Sequence, residues 1–385
     1  MSEYQYYEFR AVDRLLTQAQ IDELRAVSSR ARITPESFVN EYNWGDFKGS
    51  PDKWMEKYFD AFLYLANWGT RWLMFRVPVR VIDVAAVEAY CSDEGFSSRT
   101  AGGNIIFSCR AEEVEDDWLE GEGWLGSLIP LRSDVMHGDY RCLYLGWLLA
   151  VQAGELEDDE LEPPVPPGLG ALNTQLESFV DFLDIDNDLI AAAAEKSGKG
   201  PARALSSVEI STWIAKLPLA DKDAVLTKLL EAEDSQAVAE LRHRALSEIR
   251  SQRKPGGDAK EGGRRTVGQL IARWEAIREE REKREAERRA LEKAELERIQ
   301  AEERRRHLES LAGRENAVWA EVETLIAAKH AARYDQAVSL LKDLRDVANM
   351  KGTREEFSRR MTAMCGEHAR KTSLIERFRT AKLVE

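Results

Sequence analysis

Asp184, Asp186, Asp188 and Glu195 stand at positions 1, 3, 5 and 12 of a calcium loop, where carboxylates would surround a hard cation. Position 6 needs glycine for a sharp turn, and the chain has Leu189 there, followed by the helix-forming alanines 191–194. The spacing therefore reads as a helix start, with acidic groups at the positive end of the dipole. Gly121-Glu122-Gly123-Trp124-Leu125-Gly126 is formally GxGxxG, yet a dinucleotide site needs that motif between a strand and a helix. Here it follows Glu115-Asp116-Asp117, which repels phosphate, and it reads as a Gly-rich loop. Cys365 and His368, at i,i+3 on a helix, supply half a metal site with no second pair nearby. His137, His243, His307, His330 and His368 are all far apart. No GxSxG, HExxH or GxxxxGK[ST] occurs. No residue is assigned a catalytic, cofactor or metal role, and no cofactor is implied.

Composition narrows the partners. Between residues 111 and 188 there are twenty Asp and Glu against only Arg132 and Arg141, a local net of −18; the chain totals −14, so the remainder sums to +4. Such a belt repels nucleic acid and anionic membrane and could attract a basic partner, although charge runs commonly serve solubility. The four cysteines, Cys91, Cys109, Cys142 and Cys365, form no CxxC pair and read as free thiols of a reducing compartment. The first ten residues lack the basic and apolar regions of a secretory signal, and the longest apolar stretch, 142–151, is far too short to span a bilayer. The expectation is a cytoplasmic protein without membrane contact.

The elements that must position these residues follow from periodicity. Residues 4–11 alternate with aromatics, as a strand does. Thr17 and Gln20 have capping-box spacing ahead of Ile21, Leu24 and Val27. A second strand is expected at 37–42. A helix is expected at 51–67, where Trp54, Met55, Tyr58, Phe59, Phe62, Leu65 and Ala66 repeat at three and four, with Pro51 in its first turn and Gly69 after it. Strands at 70–77 and 104–109 flank a short helix at 83–90. The fold class is thus an α+β N-terminal sheet domain, then an all-α bundle, a long charged single helix and a helical-hairpin tail.

The expected division runs as follows: residues 1–153 form the α+β domain with a Trp-containing helical arm, and 154–170 are an acidic, Pro-rich linker. Residues 171–252 form a small bundle with helices near 172–183, 187–196, 206–216, 221–231 and 234–251; 253–265 are a Gly-rich hinge. Residues 266–312 are the long helix and 313–385 the tail, whose start at Tyr334-Asp335-Gln336-Ala337-Val338 resembles the second helix of one tetratricopeptide hairpin. Within 273–309 there are twelve basic and twelve acidic side chains. A coiled coil needs apolar a and d positions over several heptads, and nothing large and apolar lies between Ile277 and Leu291. The stretch reads as a solvated helix supported by pairs such as Glu285/Arg289 and Glu302/Arg306.

Tyr4 to Phe9, the Trp44-Gly45-Asp46-Phe47-Lys48-Gly49 loop, Leu143-Tyr144-Leu145-Gly146-Trp147 and Pro163-Pro164-Val165-Pro166-Pro167-Gly168 together look like an uncharacterised bacterial protein family. The tail around His368-Ala369-Arg370-Lys371-Thr372-Ser373 is similar to the C-terminal ends of bacterial SWIM-type zinc-finger proteins, without the CxC and CxH that bind their zinc. The resemblance implies a bacterial origin and carries no site residues.

The leading reading is a non-enzymatic interaction or scaffold protein, with two partner-docking modules joined by a rigid charged helix. Its protein-binding patch would be Trp319, Tyr334, Arg370 and Lys371 on the tail. The first alternative is an accessory factor of a nucleic-acid-associated or stress-response complex, with the same tail touching nucleic acid. The second is an enzyme with a cleft between the sheet and the 118–147 arm, drawing on Asp134, His137 and Asp139; those residues read otherwise as a helix cap and an exposed turn. A peptide of residues 266–312 is expected to be helical and monomeric, and a dimer in sedimentation equilibrium at micromolar concentration would refute the solvated-helix reading.

Overall fold

The computed structural model describes residues 4–92, 95–114, 120–200, 207–231, 241, 244–245, 248–249 and 264–384. It divides into two units, Met1–Arg281 and Glu282–Glu385. The first is built on a seven-stranded antiparallel sheet: β1 (Gln5–Arg10), β2 (Arg32–Thr34), β3 (Ser37–Tyr42), β4 (Ala61–Ala66), β5 (Arg71–Pro78), β6 (Phe96–Ala101) and β7 (Asn104–Ala111), in the order β2-β3-β1-β4-β5-β7-β6. Both faces are covered. Tyr6, Leu63, Leu65, Leu73, Phe75, Ile105 and Phe107 point to one core. Tyr7, Phe9, Phe38, Phe62, Tyr64, Met74 and Ile106, their alternating neighbours, point to the other.

The second face carries α1 (Gln18–Val27) and α2 (Pro51–Lys57). Thr17 and Gln20 make the expected capping box, and Pro51 sits in the first turn of α2. The helix expected over 51–67 stops at Lys57. Asp60 then takes the backbone N–H groups of Val12 and Asp13 and the Arg76 guanidinium, and the chain enters β4. A central strand buried on both faces is apolar at every position, so Phe62, Leu65 and Ala66 match a helical repeat by accident. Gly69, with φ +92, makes the turn into β5 instead of ending a helix. The sequence reading also lacks β2 and β6, whose composition is polar.

The first face carries α3 (Val84–Glu88), α4 (Trp124–Met136), α5 (Arg141–Ala153), α6 (Thr174–Leu183) and α7 (Asn187–Ala194). The Pro-rich segment expected to separate domains is strapped onto this layer. Leu169 is buried, Tyr90 donates to the Pro164 carbonyl at 2.9 Å, and Ser197 donates to that of Pro166 at 2.7 Å. Proline loses its N–H but keeps an acceptor, which side chains use here. One core therefore runs from the sheet through α6 and α7 to Val267 and Leu270, so these two helices belong to the sheet layer and not to a separate bundle. Helices α8 (Ser207–Lys216) and α9 (Leu219–Glu231) follow. The expected helix at 234–251 lies largely outside the described residues, as does the glycine hinge up to residue 263.

Helix α10 (Val267–Leu311) is continuous and crosses the division between units. Thr266 and Gln269 cap it reciprocally. The residues just before it hold a buried ion pair. Arg265 donates to both Glu162 oxygens at 2.8 and 2.6 Å and to the Ala192 carbonyl at 2.9 Å, while Tyr144 donates to Glu162. Along 282–307 the helix is charged and solvated, with pairs such as Arg289–Glu285 and Arg306–Glu302.

The second unit closes with α11 (Glu315–Ala327), α12 (Ala331–Lys351), α13 (Arg354–Glu367) and α14 (Thr372–Thr380). The three-residue link makes α11 and α12 a helical hairpin. The core is Val322, Ile326, Leu341, Met361 and Phe378, with their neighbours. Arg304 and His307 of α10 both bond Asp343 of α12. No described helix is long and apolar enough to cross a membrane. Glu162→Gln leaves the buried Arg265 uncompensated and is expected to cost about 3–5 kcal/mol, read as a lowered urea midpoint for the full chain.

Candidate docking surfaces

Three of the four acids at calcium-loop spacing are engaged by arginines, and the fourth, Asp184, ends α6 exposed. Asp186 caps α7, accepting from the N–H groups of Asp188 and Leu189. Arg278, which also lies over the Trp274 ring at 4.6 Å, donates to Asp186 at 2.9 Å. Arg281 takes Asp188 at 2.8 Å and Arg273 takes Glu195 at 2.7 Å. One face of α10 thus grips α7 through three ion pairs. Among the described residues no group of three or more metal-ligating side chains is assembled.

In the Gly121–Gly126 motif, Gly123 with φ +96 precedes α4. Gly121 lies so close to Tyr6 that a Cβ would meet its ring at 2.1 Å, so Gly121 answers to packing and Gly123 to its backbone conformation. Asp139 is held by Arg141 at 2.7 Å, and His137 ends α4 with its Nδ1 3.5 Å from the Ser133 hydroxyl. Burial raises the Asp134 carboxyl above its ordinary range, Asp139 adds to the rise and Arg141 opposes it. Trp147 is buried, and Trp118 lies outside the described residues. The four thiols are free; burial pushes those of Cys91, Cys109 and Cys142 up, away from the reactive thiolate.

The tail residues Trp319, Tyr334, Arg370 and Lys371 do not form one exposed patch. Trp319 is 4% exposed and Tyr334 9%, both within the tail core. Arg360 covers the Trp319 ring at 4.8 Å, and Phe357 packs beside it. Arg370 is exposed, while Lys371 donates to the Ile326 carbonyl at 3.1 Å. Short helices with few large apolar residues must turn their aromatics inward to make a core. A small cavity of about 260 Å³ beside Trp319 is bordered by Glu315, Lys351 and Arg360, of which Glu315 and Lys351 pair with each other.

Two tryptophans missed by periodicity stand at the surface. Trp44 is 77% exposed and Trp68 49%. The register sets Gln5 opposite both Tyr42 and Ala66, Leu65 opposite Arg71, and Arg71 opposite Ala111. The loops after β3, β4 and β7 therefore leave the same end of the sheet. Both tryptophans sit between anchored neighbours. Phe47 packs on Tyr7 and Trp54, with ring centroids 4.8 Å away in each case, and Gln5 donates to the Gly45 carbonyl. Asn67 exchanges hydrogen bonds with Tyr4, and the Gly69 carbonyl accepts from Val114. Beyond Val114 opens a cleft of about 650 Å³ lined by Glu112, Glu113, Glu155 and Asp184 against Arg110 alone among charged residues. Each tryptophan precedes a glycine with positive φ, Gly45 and Gly69, and that Trp-Gly pair is the sequence signal for a turn-borne aromatic.

Asp186 is held below the usual carboxylate range: burial pushes it up, and the Arg278 guanidinium with the N–H groups of Asp188 and Leu189 outweighs that. A native value below the unfolded one contributes stability that is present above the unfolded value of about 3.9 and is lost as pH falls through the native value. Asp186→Asn keeps a capping side chain but loses the charge. It should be less stable than the parent at pH 7, and the gap should close below about pH 4 in urea titrations. Comparison with protein-family models, curated proteins and solved structures found no match.

Proposed function

We propose that this chain is a non-enzymatic interaction protein whose two units, sharing helix α10, each dock a partner. One observation carries the reading. Four of the carboxylates that the sequence singles out are engaged by arginines, whereas two tryptophans on anchored turns face outward. Asp139, Asp186, Asp188 and Glu195 are each held by an arginine. Trp44 and Trp68 are presented by pinned turns, and tryptophan is enriched among residues that dominate binding energy. Preorganised turns lower the ordering entropy that docking costs.

The nucleic-acid alternative draws less support. Arg304 is engaged by Asp343 and Asp346, and Lys371 by a backbone carbonyl, which removes two cations from the basic clusters that reading needs. An enzyme built on Asp134, His137 and Asp139 would have to release Asp139 from Arg141.

The test is affinity capture with the tagged full chain from its native cell, with nuclease treatment, followed by reconstitution from purified components. A stoichiometric complex with a specific protein, unaffected by nuclease, is expected. Capture abolished by nuclease, or no reconstituted complex, would overturn the reading.

A further inference from the structure

We propose that the end of the sheet bearing Trp44 and Trp68 is a docking rim for an extended, arginine-rich segment of a partner protein. This rests on the reading of the chain as an interaction protein and names the chemistry of one partner.

The rim combines three independent features. First, its two exposed tryptophans are rigidly presented. The loop of Trp44 is stapled by Phe47 into the aromatic core, and the turn of Trp68 is bonded on both sides, to Tyr4 and to Val114. Trp44, 77% exposed between anchored residues, fills no core and caps no helix. Second, the surroundings are acidic. Glu41 and Asp46 stand beside Trp44 with the cations Arg30 and Lys48, and Glu113 and Glu120 are exposed farther along, so the acidic excess lies on the Trp68 side. Third, the Trp68 turn borders the cleft where four carboxylates face one guanidinium, and Arg110 is already bonded to Glu112.

Charge and shape select the occupant. Four exposed carboxylates in the cleft, Glu112, Glu113, Glu155 and Asp184, repel phosphate and anionic lipid and attract cations. Indole faces add cation–π attraction, to which the planar guanidinium is better suited than ammonium because it also stacks. Guanidinium further bonds carboxylates in a bidentate fork. The strands reaching the rim are neighbours about 4.8 Å apart, so the loops after β3 and β4, separated by β1, are spaced on the order of 10 Å. An extended segment of about three residues spans that distance. The partner's segment therefore places cations against both tryptophans and continues into the cleft.

The probe is a fluorescein-labelled octa-arginine peptide, titrated with the full chain at about 150 mM salt and followed by anisotropy, with octa-lysine beside it. The arginine peptide is expected to bind more tightly than the lysine peptide. Trp44→Ala and Trp68→Ala should each weaken it about tenfold, with the melting temperature unchanged for Trp44→Ala, whose side chain is 77% exposed, and measured alongside for Trp68→Ala, whose side chain is half-buried. Glu41→Gln with Glu113→Gln should weaken it similarly. Glu321→Gln with Glu323→Gln removes the same charge from exposed positions on the other unit and should change affinity less than about twofold. Equal losses from both double variants, or binding indifferent to the tryptophans, would overturn the proposal, since the peptide would then read only net charge. A reconstituted complex with the captured partner that survives both tryptophan substitutions overturns the rim proposal alone. Failure of capture overturns the broader reading, whatever the peptide does.

Discussion

The buried contact between Arg265 and Glu162 is the constraint on which the first unit depends. Neither charge has an escape to water, so the arrangement holds only because every strong donor and acceptor is used. Arg265 spans both Glu162 oxygens and the carbonyl of Ala192, and Tyr144 completes the acceptor. Burial and the neighbouring carboxylate hold the Tyr144 phenol well above its ordinary range, so it stays a donor. Four pieces of chain meet there: α5, the Pro-rich strap, the end of α7 and the residues leading into α10. Apolar packing alone would let α10 slide along its axis; a bidentate pair fixes its register.

The same device recurs. Asp60 gathers two backbone N–H groups and Arg76, with Arg132 bridging to Asp13. Arg278 and Arg281 bring positive charge from outside the acidic belt onto Asp186 and Asp188 within it. The skewed charge along the sequence is thus partly a record of which segments must find each other. Elsewhere in the belt Arg110 meets Glu112 and Arg32 meets Glu122, while Glu113 and Glu120 stand exposed.

Much of the fold was legible because local physics decided it. Thr17 with Gln20, Pro51 in the first turn of α2 and the amphipathic stripes of α6, α7 and the tail helices each carry their signal within a few residues. β4 was not legible, since burial on both faces erases the alternation that marks a strand, and the edge strands were too short and polar to read. The strap was misread because proline composition suggests a spacer, while its burial is fixed by an arginine about a hundred residues away in sequence. Trp319 and Tyr334 were read as surface residues although their helical spacing already placed them inside. The surface of Trp44 and Trp68 required strand register, which no single stretch contains.

The sheet ends on one side with a three-residue strand and on the other with Phe96–Ala101, whose sequence FSSRTA is mostly small and polar. Strand-by-strand extension by another chain needs a long, flat, adhesive border. Here neither border offers one, so copies of the protein have little tendency to zip together laterally even though the sheet's interior is rich in aromatic and branched residues. The design separates two kinds of stickiness. Lateral growth is disfavoured along the strands, and the exposed tryptophans stand on the loops at their ends.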